Sequence, residues 1–132
     1  MKSFTFGKKK TELVFPNKTY ILEVDGLLKT KADKVSDWAI EQSKRLFGID
    51  DDTIVYSVIS ETLEGVCEKI DYLLDETGAS KEILGERLSG DVAVAHFDAC
   101  DVMNFILREI QSTWKEVTSE RLKAAKKAKG SK

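Results

Sequence analysis

Apolar side chains along the chain follow two different periods. Up to Val24 they alternate; beyond Ala32 they recur every three to four positions. Alternation is the mark of a half-buried strand, and the longer period that of an amphipathic helix. Ser3–Phe6 puts Phe4 and Phe6 on one side, and Gly7-Lys8-Lys9-Lys10 is a polar connection. Thr11–Phe15 alternates again through Leu13 and Phe15. Pro16-Asn17-Lys18 reads as a turn, because Pro presets φ and Asn tolerates unusual dihedrals. Thr19–Val24 follows, with Tyr20, Leu22 and Val24 on one face and Ile21 and Glu23 on the other. Asp25-Gly26 ends the segment. The pattern predicts an antiparallel β-hairpin or three-strand meander. A hairpin alone is marginal in water, so its apolar face must rest on helices or on another subunit.

The remainder predicts three to four α-helices. From Ala32 to Phe47 the apolar positions are Val35, Trp38, Ala39, Leu46 and Phe47, with Gly48 placed to stop the helix. Asp50-Asp51-Asp52 then precedes a stripe of Ile54, Val55, Val58, Ile59, Leu63, Val66, Ile70, Leu73 and Leu74. Aspartates at that point cap free N–H groups and meet the positive end of the helix dipole. Gly78 closes the segment, Ser80 is the expected cap of a short helix through Leu88, and Ser89-Gly90-Asp91 is the next break. The last helix is expected from about Val92 to Lys126, roughly 50 Å at 1.5 Å per residue. Its stripe is Ala95, Ala99, Val102, Met103, Ile106, Leu107, Ile110, Trp114 and Val117. A domain of this size is only about 30 Å across, so this helix should project past it. The fold class is therefore α+β in a single domain, residues 1–132. The β element is 1–26, the helical part 32–126, and 127–132 an expected frayed tail. Expected core residues are Trp38, Leu46, Phe47, Ile59, Leu63, Ile70, Leu74, Val102, Ile106 and Ile110.

Composition narrows the class without naming a function. Hydrophobic residues make up 42 % of the 132, too many for a disordered chain. No apolar run approaches the roughly 18–20 residues of a membrane span, so no membrane partner is expected. Met1-Lys2-Ser3-Phe4-Thr5-Phe6 lacks an apolar signal core, so secretion is not expected. Cys67 and Cys100 are isolated thiols rather than a disulfide framework, which fits a reducing compartment.

Charge is nearly balanced in total and uneven along the chain. Residues 1–31 hold seven basic and three acidic groups, residues 32–109 seven and eighteen, and residues 110–132 seven and two. An acidic middle is bracketed by basic ends. Solvated faces and a Lys-rich helix C-terminus account for most of this. Nucleic acid is not an expected partner: the basic ends lack interleaved aromatics, and the acidic middle would repel phosphate.

Candidate chemistry is sparse. His96 and Cys100, four apart, share a helix face and could begin a zinc site or a Cys–His pair. Closure of a metal site needs more ligands, with Cys67 and Asp101 the nearest suggestions. A nucleophile needs an orienting group and an oxyanion hole. Asp50-Asp51-Asp52 lacks the spacing of a calcium loop, since the apolar stripe begins at Ile54. Gly78, Gly85 and Gly90 are too far apart for a phosphate cradle. Trp38 and Trp114 sit at stripe positions and read as core. No catalytic, cofactor-binding or metal-binding residue is assigned, no cofactor is expected, and an enzyme is not.

The order of parts resembles the small tail assembly chaperones of long-tailed phages and prophages of Gram-positive bacteria. The resemblance rests on the strand Asn17-Lys18-Thr19-Tyr20-Ile21-Leu22-Glu23-Val24, the acidic helices after it, the segment Asp98-Ala99-Cys100-Asp101-Val102-Met103-Asn104-Phe105-Ile106, and the Lys-rich end. It implies a non-enzymatic helical protein that self-associates and coats the tape-measure protein until tail-tube subunits displace it. It implies action in the host bacterial cytoplasm and absence from the mature virion. Such families often make a longer product by a frameshift, for which Lys126-Lys127 would mark the slip. Two other classes fit the same sequence: a different morphogenetic factor, such as a connector or tail-completion protein, and a small protein-binding regulatory or inhibitor domain.

Overall fold

In the computed structural model, which describes residues 9–130 (the last three by backbone alone), β1 (Lys10–Val14) and β2 (Thr19–Glu23) form an antiparallel hairpin. The expected strand at Ser3–Phe6 lies outside the described residues. Leu13 faces Tyr20 across the pair, and the turn is closed by Phe15 N–H to Lys18 C=O at 2.9 Å and its converse at 3.3 Å. Alternation sorts the side chains as expected. Thr11, Leu13, Phe15, Tyr20 and Val24 are buried, while Val14 and Ile21 face outward. Two strands alone would be marginal; here Phe15 sets its ring edge-on to Phe105, centroids 5.7 Å apart. At the turn, Lys18 donates to Glu82 (2.9 Å) and Glu76 (3.0 Å), and the Tyr20 hydroxyl donates to Glu76 (2.9 Å). The two carboxylates hold the Lys18 ammonium above the ordinary lysine range, and Lys18 in turn holds Glu76 below the ordinary carboxylate range.

The fold is α+β, with four helices following the hairpin. The first, α1 (Gly26–Phe47), begins six residues before the expected Ala32. Asp25 is the reason: its carboxylate accepts the Leu28 N–H at 2.8 Å, so the helix is capped two residues after the strand ends at Glu23. The second, α2 (Asp52–Leu74), is capped as expected, with Asp51 accepting the Thr53 N–H at 2.9 Å. It ends at Asp75 in the left-handed region. The short helix α3 (Ala79–Leu84) passes into a 3₁₀ turn at Gly85–Ser89. Ser80 is not its cap. Asp71, on the helix before, accepts the N–H groups of both Ser80 (2.7 Å) and Gly78 (3.0 Å). The last helix, α4 (Val92–Gly130), is 39 residues, about 58 Å long. It continues past Lys126 into the segment expected to fray; Ser131 and Lys132 lie outside the described residues.

Four contacts fix the packing. Arg45 pairs with Glu61 at 3.1 Å and Lys31 lies 4.8 Å over the Tyr72 ring, so α1 and α2 run antiparallel. Gln111 reaches Ser36, and Gly26 lies beside Trp114, so α1 is antiparallel to α4 as well. It follows that α2 and α4 run parallel, and α3 with the 3₁₀ turn carries the chain back between them. Among the expected core residues, Ile70, Leu74, Ile106 and Ile110 are buried. Trp38, Leu46, Ile59, Leu63 and Val102 are only half-buried, and Phe47 is 91 % exposed, which corrects the expectation for it. The reason is geometric: toward Gly48, α1 has no fourth layer above it. Among the described residues no helix is long and apolar enough to cross a membrane.

Candidate functional site

The half-covered end of the bundle opens a groove of about 590 Å³ between α1, α2 and α4. It exceeds the clefts beside the hairpin (about 430 Å³) and along Ser36 and Arg108 (about 470 Å³). Its walls come from three helical stripes. Ala39, Leu46 and Phe47 project from α1, Thr62 and Val66 from α2, and His96, Cys100, Met103 and Leu107 from α4. The α4 residues fall at i, i+4, i+7 and i+11, one face of the helix. Ile40 and Phe47 stand exposed at the rim. Trp38 closes the α1–α2 side against Gly65, where a Cβ would lie 2.6 Å from the indole Cζ2, and Lys69 covers its ring at 5.2 Å. Glycine at 65 is therefore what lets the two helices approach across the indole.

Two polar atoms in groove-lining side chains, Thr62 Oγ1 and His96 Nδ1, are buried without a hydrogen-bond partner. Their residues are 4 % and 5 % exposed. Such a group costs about 1–3 kcal/mol relative to a satisfied one. The other imidazole nitrogen, His96 Nε2, lies 3.7 Å from Cys100 Sγ. The sequence pair is thus brought together, in a chemically quiet state. Burial pushes the Cys100 thiol up and the His96 imidazole down, so at neutral pH the pair is a thiol and a neutral ring rather than thiolate and imidazolium. Burial likewise raises Cys67. Among the described residues no group of three or more His, Cys, Asp and Glu could hold a metal ion. The Asp50-Asp51-Asp52 run serves the α2 N-terminus through Asp51.

His96 makes stability depend on pH with a definite sign. Its folded-state pKa lies below the unfolded value near about 6.5, so the unfolded chain binds more protons between the two. This stability is fully present above the unfolded value and is lost progressively as pH falls from there through the folded-state value. The urea midpoint of the native chain should therefore drop between about pH 7.5 and 5.5 more than that of His96→Leu. Equal drops in the two would contradict the burial account.

Sequence reasoning found the stripes that line the groove and missed that one end of them is uncovered. Periodicity identifies an apolar face, and nothing in it says whether a neighbour sits on that face. The chain matches no family model, no curated protein and no solved structure.

Proposed function

We propose that this chain is a non-enzymatic chaperone that holds an amphipathic helix of a client protein in the groove between α1, α2 and α4. The observation that carries the reading is the open apolar groove with Phe47 almost fully exposed at its rim. An exposed aromatic beside a concave apolar surface is the ordinary anchor for a helix laid into a groove. The client class follows from the resemblance of the chain's layout to tail assembly chaperones: a tape-measure protein, whose long apolar helices need cover before tail-tube subunits assemble around them. The acidic middle of the chain, eleven more acidic than basic groups over residues 32–109, would keep a coated client dispersed. The neutral His96–Cys100 pair supports binding rather than nucleophilic chemistry.

Burying a phenylalanine side chain contributes about 1.5–3 kcal/mol, a factor of roughly ten to a hundred in affinity. Phe47→Asp should weaken capture of a client helix by at least about tenfold while leaving the melting temperature nearly unchanged, because the native side chain is already in water. The check is co-expression with a tape-measure protein of a Gram-positive phage. The native chain should keep it in the supernatant, and the Phe47→Asp chain should not. A client equally soluble with both, or with neither, would contradict the reading.

A further inference from the structure

The outer edge of β2 carries backbone groups with no ladder to join. At the turn Phe15 and Lys18 exchange both N–H to C=O bonds, and at the far end Val24 donates to Lys9 at 2.8 Å. Bonded and non-bonded pairs alternate along an antiparallel ladder, so Leu13 with Tyr20 and Thr11 with Leu22 hold the hairpin's bonds. The N–H and C=O groups of Thr19 and Ile21 therefore point away from β1. Among the described residues nothing pairs with them.

Proteins usually blunt such an edge with Lys, Pro or a bulge. On β1 that device is present: the strand is entered through Lys9 and Lys10, and Lys9 turns to Glu116 and Glu120 of α4. On β2 it is missing. The pairing runs unbroken from Thr19 to Glu23, none of those five residues is Lys or Pro, and Ile21 stands 65 % exposed.

Beside this edge lies a cleft of about 310 Å³ between β2, the start of α1 and the end of α2. Its apolar wall is Leu22, Leu27, Leu28, Leu73 and Leu74. Leu22 faces inward yet is only half-buried, and Leu27 is exposed. The cleft's charges are Glu23, Asp25 and Asp75 against Lys31, which lies over the Tyr72 ring. Acid predominates.

We propose that the outer edge of β2 takes an extended segment of a partner protein as an added third strand, with apolar residues at alternate positions and Lys or Arg at its ends. Backbone groups two residues apart, about 6.8 Å, match an extended chain. They do not match a helix, whose own N–H and C=O groups are spent within it. Side chains of the added strand on the Leu22 side enter the cleft, and its basic ends meet the acidic rim. This site is separate from the groove between α1, α2 and α4, takes a different ligand conformation, and does not rest on the proposed function.

Amide hydrogen exchange of the full chain, read residue by residue by NMR, tests the edge. The probe is a short blocked peptide of alternating valine and threonine with a lysine at each end. At saturation it should slow exchange at Thr19 and Ile21 at least about tenfold and leave Tyr20 and Leu22, already bonded in the ladder, unchanged. The same peptide N-methylated at its valines should give no protection. Glutamate in place of its lysines should weaken binding at least about fivefold at low salt. Ile21→Pro removes an outward N–H and no ladder bond, so it should abolish binding with native circular dichroism. If that chain does not fold, Ile21→Lys blunts the edge instead and should weaken binding at least about fivefold. No protection at about 1 mM peptide, or equal protection by the N-methylated peptide, overturns the proposal. Edge amides that are slow without peptide, and slower as protein concentration rises, assign the edge to a second copy and overturn it too.

Discussion

Ile106→Ala is expected to lower the free energy of unfolding by about 2–5 kcal/mol, the range for an aliphatic side chain deleted from a closed core. Ile106 is fully buried near the middle of α4, between Met103 and Ile110 on the same face. That helix is the common support of the fold: β1, α1, α2, α3 and the 3₁₀ turn all pack on it. A void there has layers on several sides and little freedom to collapse. A domain of this size holds only about 5–15 kcal/mol in reserve, so the loss is a large fraction of the whole. Urea unfolding followed by circular dichroism reads it directly. The contrast with Phe47→Asp is informative, because that change should spare stability and cost binding. A loss below about 1 kcal/mol at Ile106 would mean that α4 is not the packed spine described here.

The second large effect is expected at Gly65. A Cβ at this position meets the Trp38 ring at 2.6 Å from Cζ2 and 3.0 Å from Cη2. Lys69, one turn further along α2, lies over the same ring at 5.2 Å, so relief requires the indole to turn outward or α1 to move off α2. Overpacking of this kind costs about 1–3 kcal/mol. Two terms compete in Gly65→Ala: the clash destabilises, and the better helix propensity of alanine returns about 1 kcal/mol. Its net effect is therefore small. Gly65→Val loses most of that return, because a β-branched residue is a poorer helix former, and it adds two methyl groups to the clash. A loss of about 2 kcal/mol or more is expected, with a red shift of the tryptophan emission as Trp38 is pushed into water. Unchanged emission in the valine variant would show that the indole does not lie on Gly65.

Much of this architecture was legible because local chemistry and the global arrangement agree. Alternation around Pro16-Asn17 predicted a hairpin whose Leu13, Tyr20 and Val24 are buried. The period of Val66, Ile70, Leu73 and Leu74 predicted the buried face of α2. What escaped the sequence depends on groups distant from one another. Asp71 caps a helix seven and nine residues further on, which no local capping rule anticipates. Asp25 looks like part of the turn that follows the strand but caps α1, which therefore starts six residues before the apolar period shows it. Phe47 lies on the same helix as Trp38 and reads as core, but its environment is set by where α2 and α4 end rather than by its own neighbours in sequence. The groove is invisible for that reason, and so are the unpaired Thr62 Oγ1 and His96 Nδ1 that line it.

The central claim is that the groove, rather than the outward face of the hairpin or the cleft at Lys9, receives a helix. The most direct test is amide chemical-shift mapping of the full chain on titration with an amphipathic peptide of about 20 residues, long enough to form a stable helix once bound. The account predicts saturable shifts at Ala39, Phe47, Thr62, Val66 and Cys100, with Glu12 and Ile21 unmoved. Shifts confined to the hairpin or to the Lys9 cleft, or none at a concentration that saturates the peptide's own helix signal, would contradict it.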